Sequence, residues 1–241
     1  MTTPKKLEEL HIQIFADGAE KASMLELAAN PLIKGFTTNP TLMRKAGITD
    51  YAGFAKEILA EIHDRPISFE VFSDDFVEME RQARLIASWA PNVNVKIPIT
   101  NTKKEPSYDL IKKLSADGIQ LNVTAVFSLA QVENTKKALR ADVPAIISVF
   151  AGRIADTGVD PIPLMKEAKA LIADNPDIRL LWASPRELLN IYHAEEASSD
   201  IITVTPDVLK KAANIGLDLE EFSLQTVKMF YDDGQKAGYI L

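Results

Sequence analysis

The chain has no cysteine among its 241 residues. This absence excludes disulfides, thiol nucleophiles, iron–sulfur clusters and cysteine-based zinc sites. Histidine is also scarce, since His11, His63 and His193 are scattered and form no pair at metal-ligand spacing. A metal site would have to be built from carboxylates alone. We therefore do not expect chemistry that depends on a metal ion.

Long apolar runs and an excess of positive charge are absent as well. No apolar run approaches 18 residues, so no membrane-spanning helix is expected. The opening residues MTTPKKLEEL lack the apolar segment of a signal peptide, which favours a cytoplasmic location. The net charge of −7 argues against nucleic acids or anionic membranes as partners. A small anionic substrate is still possible, because its binding depends on a few local arginines and not on the net charge.

The chain does contain a regular alternation of short β-rich apolar runs and longer amphipathic segments. Strands are predicted at 12–16, 33–36, 67–72, 93–97, 120–124, 145–149, 178–183 and 201–204. Helices are predicted near 20–29, 51–62, 75–89, 107–117, 128–140, 161–174, 186–193 and 206–213. Eight such units predict an α/β fold, a single (β/α)8 TIM barrel over 1–241. An extra C-terminal helix is expected at about 218–232.

Polar residues stand at the carboxyl ends of most predicted strands, where barrels of this class place their chemistry. They are Asp17, Thr37, Asn39, Glu70, Lys96, Asn122, Thr124, Ser148, Arg153, Ser184 and Arg186. Each has a structural alternative when taken alone: turn chemistry for DG and TTNP, a strand hydrogen bond, or a surface ion pair for an arginine. Their recurrence at one end of the barrel favours a shared functional site.

Lys96 is the most informative of these residues. It lies within the β-branched run VNVKI, which Pro98 is expected to end. A lysine in a buried strand is poorly hydrated, which disfavours the ammonium form. A neutral amine is a nucleophile that can form a Schiff base with a ketone. The alternative is an edge-strand lysine whose stem packs while its ammonium reaches water.

Seven motifs along the chain resemble those of the transaldolases. In order they are IFADGAE (14–20), GFTTNPTL (35–42), SFEV (68–71), VNVKIP (93–98), LNVTAVFS (121–128), ISVFAGRI (147–154) and LWASPRE (181–187). They cover most of the chain and occur in the family's order. The resemblance implies a cofactor-free transferase that moves a dihydroxyacetone unit between sugar phosphates in the non-oxidative pentose phosphate pathway. The donor would be sedoheptulose 7-phosphate or fructose 6-phosphate, and the acceptor glyceraldehyde 3-phosphate or erythrose 4-phosphate.

The resemblance also implies roles for individual residues. Lys96 would form the Schiff base, and Asp17 would be the acid/base for the substrate hydroxyl. Glu70 and Thr124 would hold and activate the water used in imine formation and release. The donor carbons would be oriented by Thr37, Asn39, Asn122 and Ser148. The phosphate would be bound by Ser184, Arg153 and Arg186, which suits the fork geometry of arginine.

Two residues bear on the branch within the family. Relatives that act as plain fructose-6-phosphate aldolases have glutamine at the position of Glu70 and tyrosine at that of Phe150. This chain therefore resembles the transferase branch. An aldolase that releases free dihydroxyacetone and a barrel that binds a sugar phosphate without catalysis are the alternatives.

Two departures from the family pattern affect the substrate more than the chemistry. Gly18-Ala19 follows Asp17 where a DT pair is common. The stretch 100–107 replaces a short glycine-containing link after the Schiff-base strand, and we expect it to border the site. The resemblance further implies a homo-oligomer, either a ring of five or ten subunits or a dimer.

Overall fold

The computed structural model describes residues 4–240, and its centre is a closed barrel of eight parallel strands in the order β1 to β8. The strands are β1 Gln13–Asp17, β2 Ile33–Thr37, β3 Ile67–Glu70, β4 Val93–Pro98, β5 Leu121–Val126, β6 Ala145–Val149, β7 Ile178–Trp182 and β8 Ile201–Val204. Neighbouring strands pair in sequence order, and β8 closes the barrel against β1. The predicted (β/α)8 barrel is confirmed.

Helices connect the strands on the outside of the barrel. They are α1 Lys21–Ala28, α2 Pro40–Lys45, α3 Tyr51–Glu61, α4 Phe76–Ala87, α5 Tyr108–Ala116, α6 Leu129–Ala138, α7 Ala151–Ala155, α8 Pro161–Ile172, α9 Leu189–Glu196, α10 Pro206–Lys210 and α11 Leu219–Ala237. Two short 3-10 helices also occur, at Leu7–Glu9 and Lys211–Asn214. Within residues 4–240 no helix is both long and apolar enough to cross a membrane.

The structure differs from the predicted elements mainly at the strand ends. β3 ends at Glu70, two residues early, and β4 includes Pro98 as its last residue. The short helices α2 and α7 directly follow β2 and β6 and were not predicted. The C-terminal helix continues five residues past 232, where Gly238 in the left-handed region ends it (φ 66°).

The barrel interior is filled by side chains rather than open. A small apolar cluster of Phe15, Ile146, Leu181, Ala183 and Ile201 lies inside it, separate from the larger core between strands and helices. Gly35 makes room for this plug, because a Cβ atom there would lie 2.6 Å from the ring of Phe15. The plug supports a polar layer at the carboxyl ends of the strands and separates it from the opposite mouth.

Candidate active site

A cavity of about 590 Å³ opens at the carboxyl ends of the strands, and a smaller one of about 110 Å³ continues beneath it. The larger volume is within the range of small-molecule sites. Together the two cavities bring twelve predicted site residues to one place: Asp17, Thr37, Asn39, Glu70, Lys96, Asn122, Thr124, Ser148, Phe150, Arg153, Ser184 and Arg186. Their closeness follows from the topology, because the carboxyl ends of parallel strands share one rim.

Lys96 lies at the centre of this rim. Strand register places Glu70 directly opposite Lys96 on one side and Asn122 on the other. The Lys96 Nζ atom is 3.0 Å from Glu70 Oε2, and the lysine is 6 % exposed. The predicted burial of this lysine is therefore confirmed, and a carboxylate lies in contact with its amine.

The end of β3 is held by a tyrosine that sequence analysis did not select. A regular parallel ladder would give the Glu70 N–H to the Thr38 carbonyl and the Glu70 carbonyl to the N–H of residue 40, which is proline. Instead, the Tyr51 hydroxyl of α3 accepts from the Glu70 N–H (2.9 Å) and donates to the Glu70 carbonyl (2.8 Å). The Thr38 carbonyl is thereby left to accept from Lys96 Nζ at 2.9 Å.

The Tyr51 hydroxyl is suited to this double role. Burial raises its pKa well above the usual tyrosine range, so it stays protonated and can donate. Its ring packs against Phe69, Phe72 and Trp89. Tyr51 therefore fixes the backbone of Glu70 from outside the barrel, and Glu70 in turn lies against Lys96.

Asp17 is oriented by a pair of threonines. The Thr37 hydroxyl donates to Asp17 Oδ1 at 2.7 Å, so the Thr203 hydroxyl must be the donor in the contact between the two threonines. Burial raises the pKa of Asp17, and the nearby Lys96 charge and the Thr37 hydrogen bond oppose this rise. A carboxyl group with a raised pKa is a suitable acid/base near neutral pH.

A chain of hydrogen bonds crosses the floor of the site. The Ser148 hydroxyl donates to Asn122 Oδ1 at 2.6 Å, and Asn122 Nδ2 donates to the Ser68 hydroxyl at 3.0 Å. Asn122 is fully buried, so this chain fixes its amide in one orientation. Ser68 is two residues before Glu70 on the same face of β3, and that alternation could have identified it.

Thr124 presents a hydroxyl that has no partner among the described residues, although its oxygen is buried. It follows Val123 at a bulge in β5, where Ala125 adopts a left-handed backbone conformation (φ 58°). Such a conformation is uncommon for alanine and costs of order 1–2 kcal/mol. The bulge turns the end of β5 toward the cavity, and the unpartnered Thr124 hydroxyl is available to a water molecule or a substrate.

Asn39 combines a structural role with its place in the cavity. It is the N-cap of α2, and its Oδ1 accepts from the Leu42 N–H at 3.0 Å. Pro40 at the first helical position completes this helix start. The Nδ2 group remains as the donor that Asn39 can offer to a ligand.

The two arginines of the site differ in their surroundings. The Arg153 guanidinium lies 5.8 Å from the centre of the Phe150 ring and pairs with no carboxylate among residues 4–240. Arg186 instead forms a bidentate ion pair with Asp156. Arg153 is therefore the arginine more readily available to an anionic substrate, and Arg186 has to share its guanidinium with Asp156.

Close packing brings α7 to the edge of the cavity. A Cβ atom at Gly152 would lie 1.6 Å from the Ser184 carbonyl oxygen, so only glycine fits there. Ser184 itself has a left-handed backbone conformation (φ 62°). This packing holds Arg153 and Ser184 on the same side of the cavity.

The stretch 100–107 does not border the site, contrary to expectation. Asp74 accepts from the Thr102 N–H at 2.7 Å and from its hydroxyl at 2.6 Å, which fastens the stretch to the turn before α4. No residue of this stretch lines either cavity. Within residues 4–240 no group of three or more histidine, aspartate or glutamate side chains is placed to hold a metal ion.

Comparison with known proteins agrees with the family resemblance of the seven sequence motifs. The sequence model of the family described as Transaldolase/Fructose-6-phosphate aldolase matches residues 14–239. A "Probable transaldolase" of Sphingopyxis alaskensis is 34 % identical over 94 % of this chain and 99 % of its own length. Another, from Dehalococcoides mccartyi, is 35 % identical over 82 % of this chain and 88 % of its own length.

Solved structures with low sequence identity share the fold. KGPDC from Streptococcus mutans superposes with a TM-score of 0.55 at 10 % identity, covering 84 % of this chain and 90 % of that one. The tryptophan synthase alpha subunit of Campylobacter jejuni gives 0.55 at 14 %, covering 82 % and 87 %. These likenesses concern the barrel alone. The family match over residues 14–239 and the relatives above 30 % identity show that the chain belongs to the transaldolase/fructose-6-phosphate aldolase family.

Proposed function

We propose that the protein is a transaldolase, which transfers a dihydroxyacetone unit from a ketose phosphate to an aldose phosphate through a Schiff base on Lys96. The donor would be sedoheptulose 7-phosphate or fructose 6-phosphate, and the acceptor glyceraldehyde 3-phosphate or erythrose 4-phosphate. The single observation that carries this proposal is the buried Lys96 amine, which lies 3.0 Å from Glu70 within a cavity shared with Asp17.

In the proposed mechanism, Lys96 gives up a proton and its amine then attacks the ketone carbon of the donor. Glu70 is close enough to take the proton that the amine must lose, and it returns that proton as the carbinolamine expels water. Thr124 would hold this water through its unpartnered hydroxyl. The product of this stage is an iminium ion joined to Lys96.

Carbon–carbon cleavage then requires a base for the C4 hydroxyl. Asp17 would accept this proton as the C3–C4 bond breaks, and the electron pair moves into the iminium ion to give an enamine. The aldose phosphate leaves, and the acceptor aldehyde binds in its place. Asp17 returns the proton to the new alkoxide as the C3–C4 bond of the product forms, and hydrolysis of the imine regenerates Lys96.

The phosphate of either sugar would bind at the side of the cavity formed by Arg153, Ser184 and Arg186. Phe150 and Phe127 pack nearby, with ring centres 5.7 Å apart, and form an apolar wall. Such a wall offers no proton to the enamine. A long-lived enamine favours transfer over release, which supports the transaldolase proposal over a plain aldolase.

A transfer assay tests this proposal. We expect the wild type to convert fructose 6-phosphate and erythrose 4-phosphate into sedoheptulose 7-phosphate and glyceraldehyde 3-phosphate. Lys96→Met should abolish this reaction, whereas Lys103→Met, which changes an exposed loop lysine, should leave the rate unchanged. Release of dihydroxyacetone faster than transfer would support the aldolase alternative, and binding without turnover would support the non-catalytic one.

The homo-oligomer implied by the resemblance and the expected cytoplasmic location belong to the same proposal. Helix α11 has no buried residue and exposes large apolar side chains, at Leu219, Phe222, Leu224, Val227, Met229, Phe230 and Tyr231. An exposed apolar face of this size is typical of a subunit contact. Light scattering should report an oligomer that Phe230→Glu weakens, and a monomeric wild type would contradict this part of the proposal.

A further inference from the structure

A second cavity, of about 310 Å³, opens at the amino-terminal mouth of the barrel, on the opposite side of the interior plug from Lys96. Most of the residues that line it are polar or charged. It is lined by His63, Asp64, Arg65, Pro66, Asn92, Asn94, Gln120, Pro144, Ala145, Ile146 and Arg179. None of the residues assigned to the proposed transaldolase site takes part in it.

Arg179 is a charged residue of this cavity that has no carboxylate partner within the described residues. It lies two residues before Leu181 on β7, so strand alternation points its side chain into the barrel. No carboxylate lies within 4.0 Å of it among residues 4–240, and burial lowers the pKa of its guanidinium. Asp200, the acid that partly opposes this shift, is already bound by Lys169 and the Leu180 N–H.

Asn94 is a second polar group of this cavity. It is 4 % exposed, lines the same cavity, and its side chain has no hydrogen-bond partner within the described part of the chain. The Asn94 amide and the half-buried Arg179 guanidinium are therefore both open to a ligand in the cavity. Asp64 is the one carboxylate in the lining, and both its oxygens accept from Arg65. The cavity thus holds a free guanidinium and a free amide, with its one acid neutralised.

We infer that this mouth binds an oxyanion of the size of phosphate, held by Arg179 and Asn94. An oxyanion would supply acceptors to the guanidinium fork and to the amide N–H groups at once. The net charge of −7 makes nonspecific attraction of anions weak, so binding has to come from this local arrangement. The ligand is either inorganic phosphate or the phosphate group of a small ester.

Titration calorimetry with inorganic phosphate tests the inference directly. The measurement uses Arg153→Met protein, which lacks the arginine expected to contribute most to phosphate binding at the opposite mouth. One phosphate should bind, and a second change, Arg179→Met, should weaken it at least about tenfold, the loss expected for a charge-assisted contact. Arg81→Met, which removes an exposed arginine on α4, is the matched control and should leave binding unchanged. A parallel titration with glycerol 3-phosphate compares a phosphate ester with the free ion. Whichever of the two binds more tightly identifies the class of ligand.

Thermal unfolding excludes a trivial loss of structure. Without phosphate, Arg179→Met should melt no lower than the wild type, because it removes a half-buried charge that has no carboxylate partner among residues 4–240. With phosphate, the melting temperature of Arg153→Met should rise, and that of the double variant should not. Binding of phosphate that is unaffected by Arg179→Met, or no binding once Arg153 is replaced, would overturn the inference whether or not the protein is a transaldolase.

Discussion

Removing the hydroxyl group of Tyr51 should disturb catalysis although no residue of the proposed substrate site is replaced. That hydroxyl makes two hydrogen bonds to the backbone of Glu70, at 2.8 and 2.9 Å. A typical hydrogen bond contributes about 0.5–1.5 kcal/mol net, so Tyr51→Phe should lower the free energy of unfolding by about 1–3 kcal/mol. The change removes one oxygen atom and leaves the aromatic packing in place.

The expected loss of catalytic rate follows from a rearrangement of the Glu70 backbone in Tyr51→Phe. Its freed N–H can turn to the Thr38 carbonyl, which now accepts from Lys96. Glu70 would shift away from Lys96, and the amine would lose both of its contacts. Because small misplacements of reacting groups are costly, we expect kcat to fall at least about tenfold with little change in KM.

Urea unfolding and the transfer assay measure these two effects. Tyr108→Phe is the matched control, since Tyr108 is half-buried and its hydroxyl has no hydrogen bond among residues 4–240. It should change neither stability nor rate appreciably. If Tyr51→Phe behaves like Tyr108→Phe in both assays, the argument that Tyr51 positions Glu70 is refuted.

Four further predictions follow from the site. Arg153→Met should raise KM for phosphorylated donors by about 10–150-fold and Arg186→Met by less, because Arg186 already pairs with Asp156; equal effects would contradict this difference. Phe150→Tyr, alone or with Glu70→Gln, should increase dihydroxyacetone release from fructose 6-phosphate relative to transfer, as measured without and with erythrose 4-phosphate. Exhaustive chelation should leave the rate unchanged, and recovery with added zinc or magnesium would refute a metal-free reaction. Burial raises the pKa of Asp17 above its usual 3.8, so ionisation of this carboxyl group costs stability as the pH rises through and above that value. Asp17→Asn should therefore stabilise the protein at pH 7. Urea unfolding at a series of pH values should show that this gain in stability shrinks toward pH 4.

The barrel and the position of its site could be predicted from the sequence because both depend on local patterns. Each strand was visible as a short β-rich run, and the polar residues at the strand ends were bound to meet once the barrel closed. Lys96 stood out because a charged residue interrupts an apolar run. Even the start of α2 was encoded, in Asn39 as N-cap and Pro40 after it, although the helix is too short to show periodicity.

Other features depend on contacts between distant segments and leave no local pattern. Tyr51 meets Glu70 across 19 residues, and its role depends on the missing N–H of Pro40, which ends the ladder between β2 and β3. Arg186 pairs with Asp156, which is 30 residues away in the sequence. Nothing near Arg186 in the sequence distinguishes it from any other surface arginine, so this partner could not be predicted. The stretch 100–107 was expected near the site because it follows Lys96, yet its contacts with Asp74 direct it elsewhere.

Borohydride reduction in the presence of fructose 6-phosphate tests the central claim most directly. Reduction of an imine fixes the donor carbons to the amine that formed it, and peptide mass mapping then locates that amine. We predict a single modified peptide carrying the dihydroxyacetone unit on Lys96, and no modification in Lys96→Met protein. Modification of another lysine, or none during active turnover, would contradict a Schiff base at Lys96.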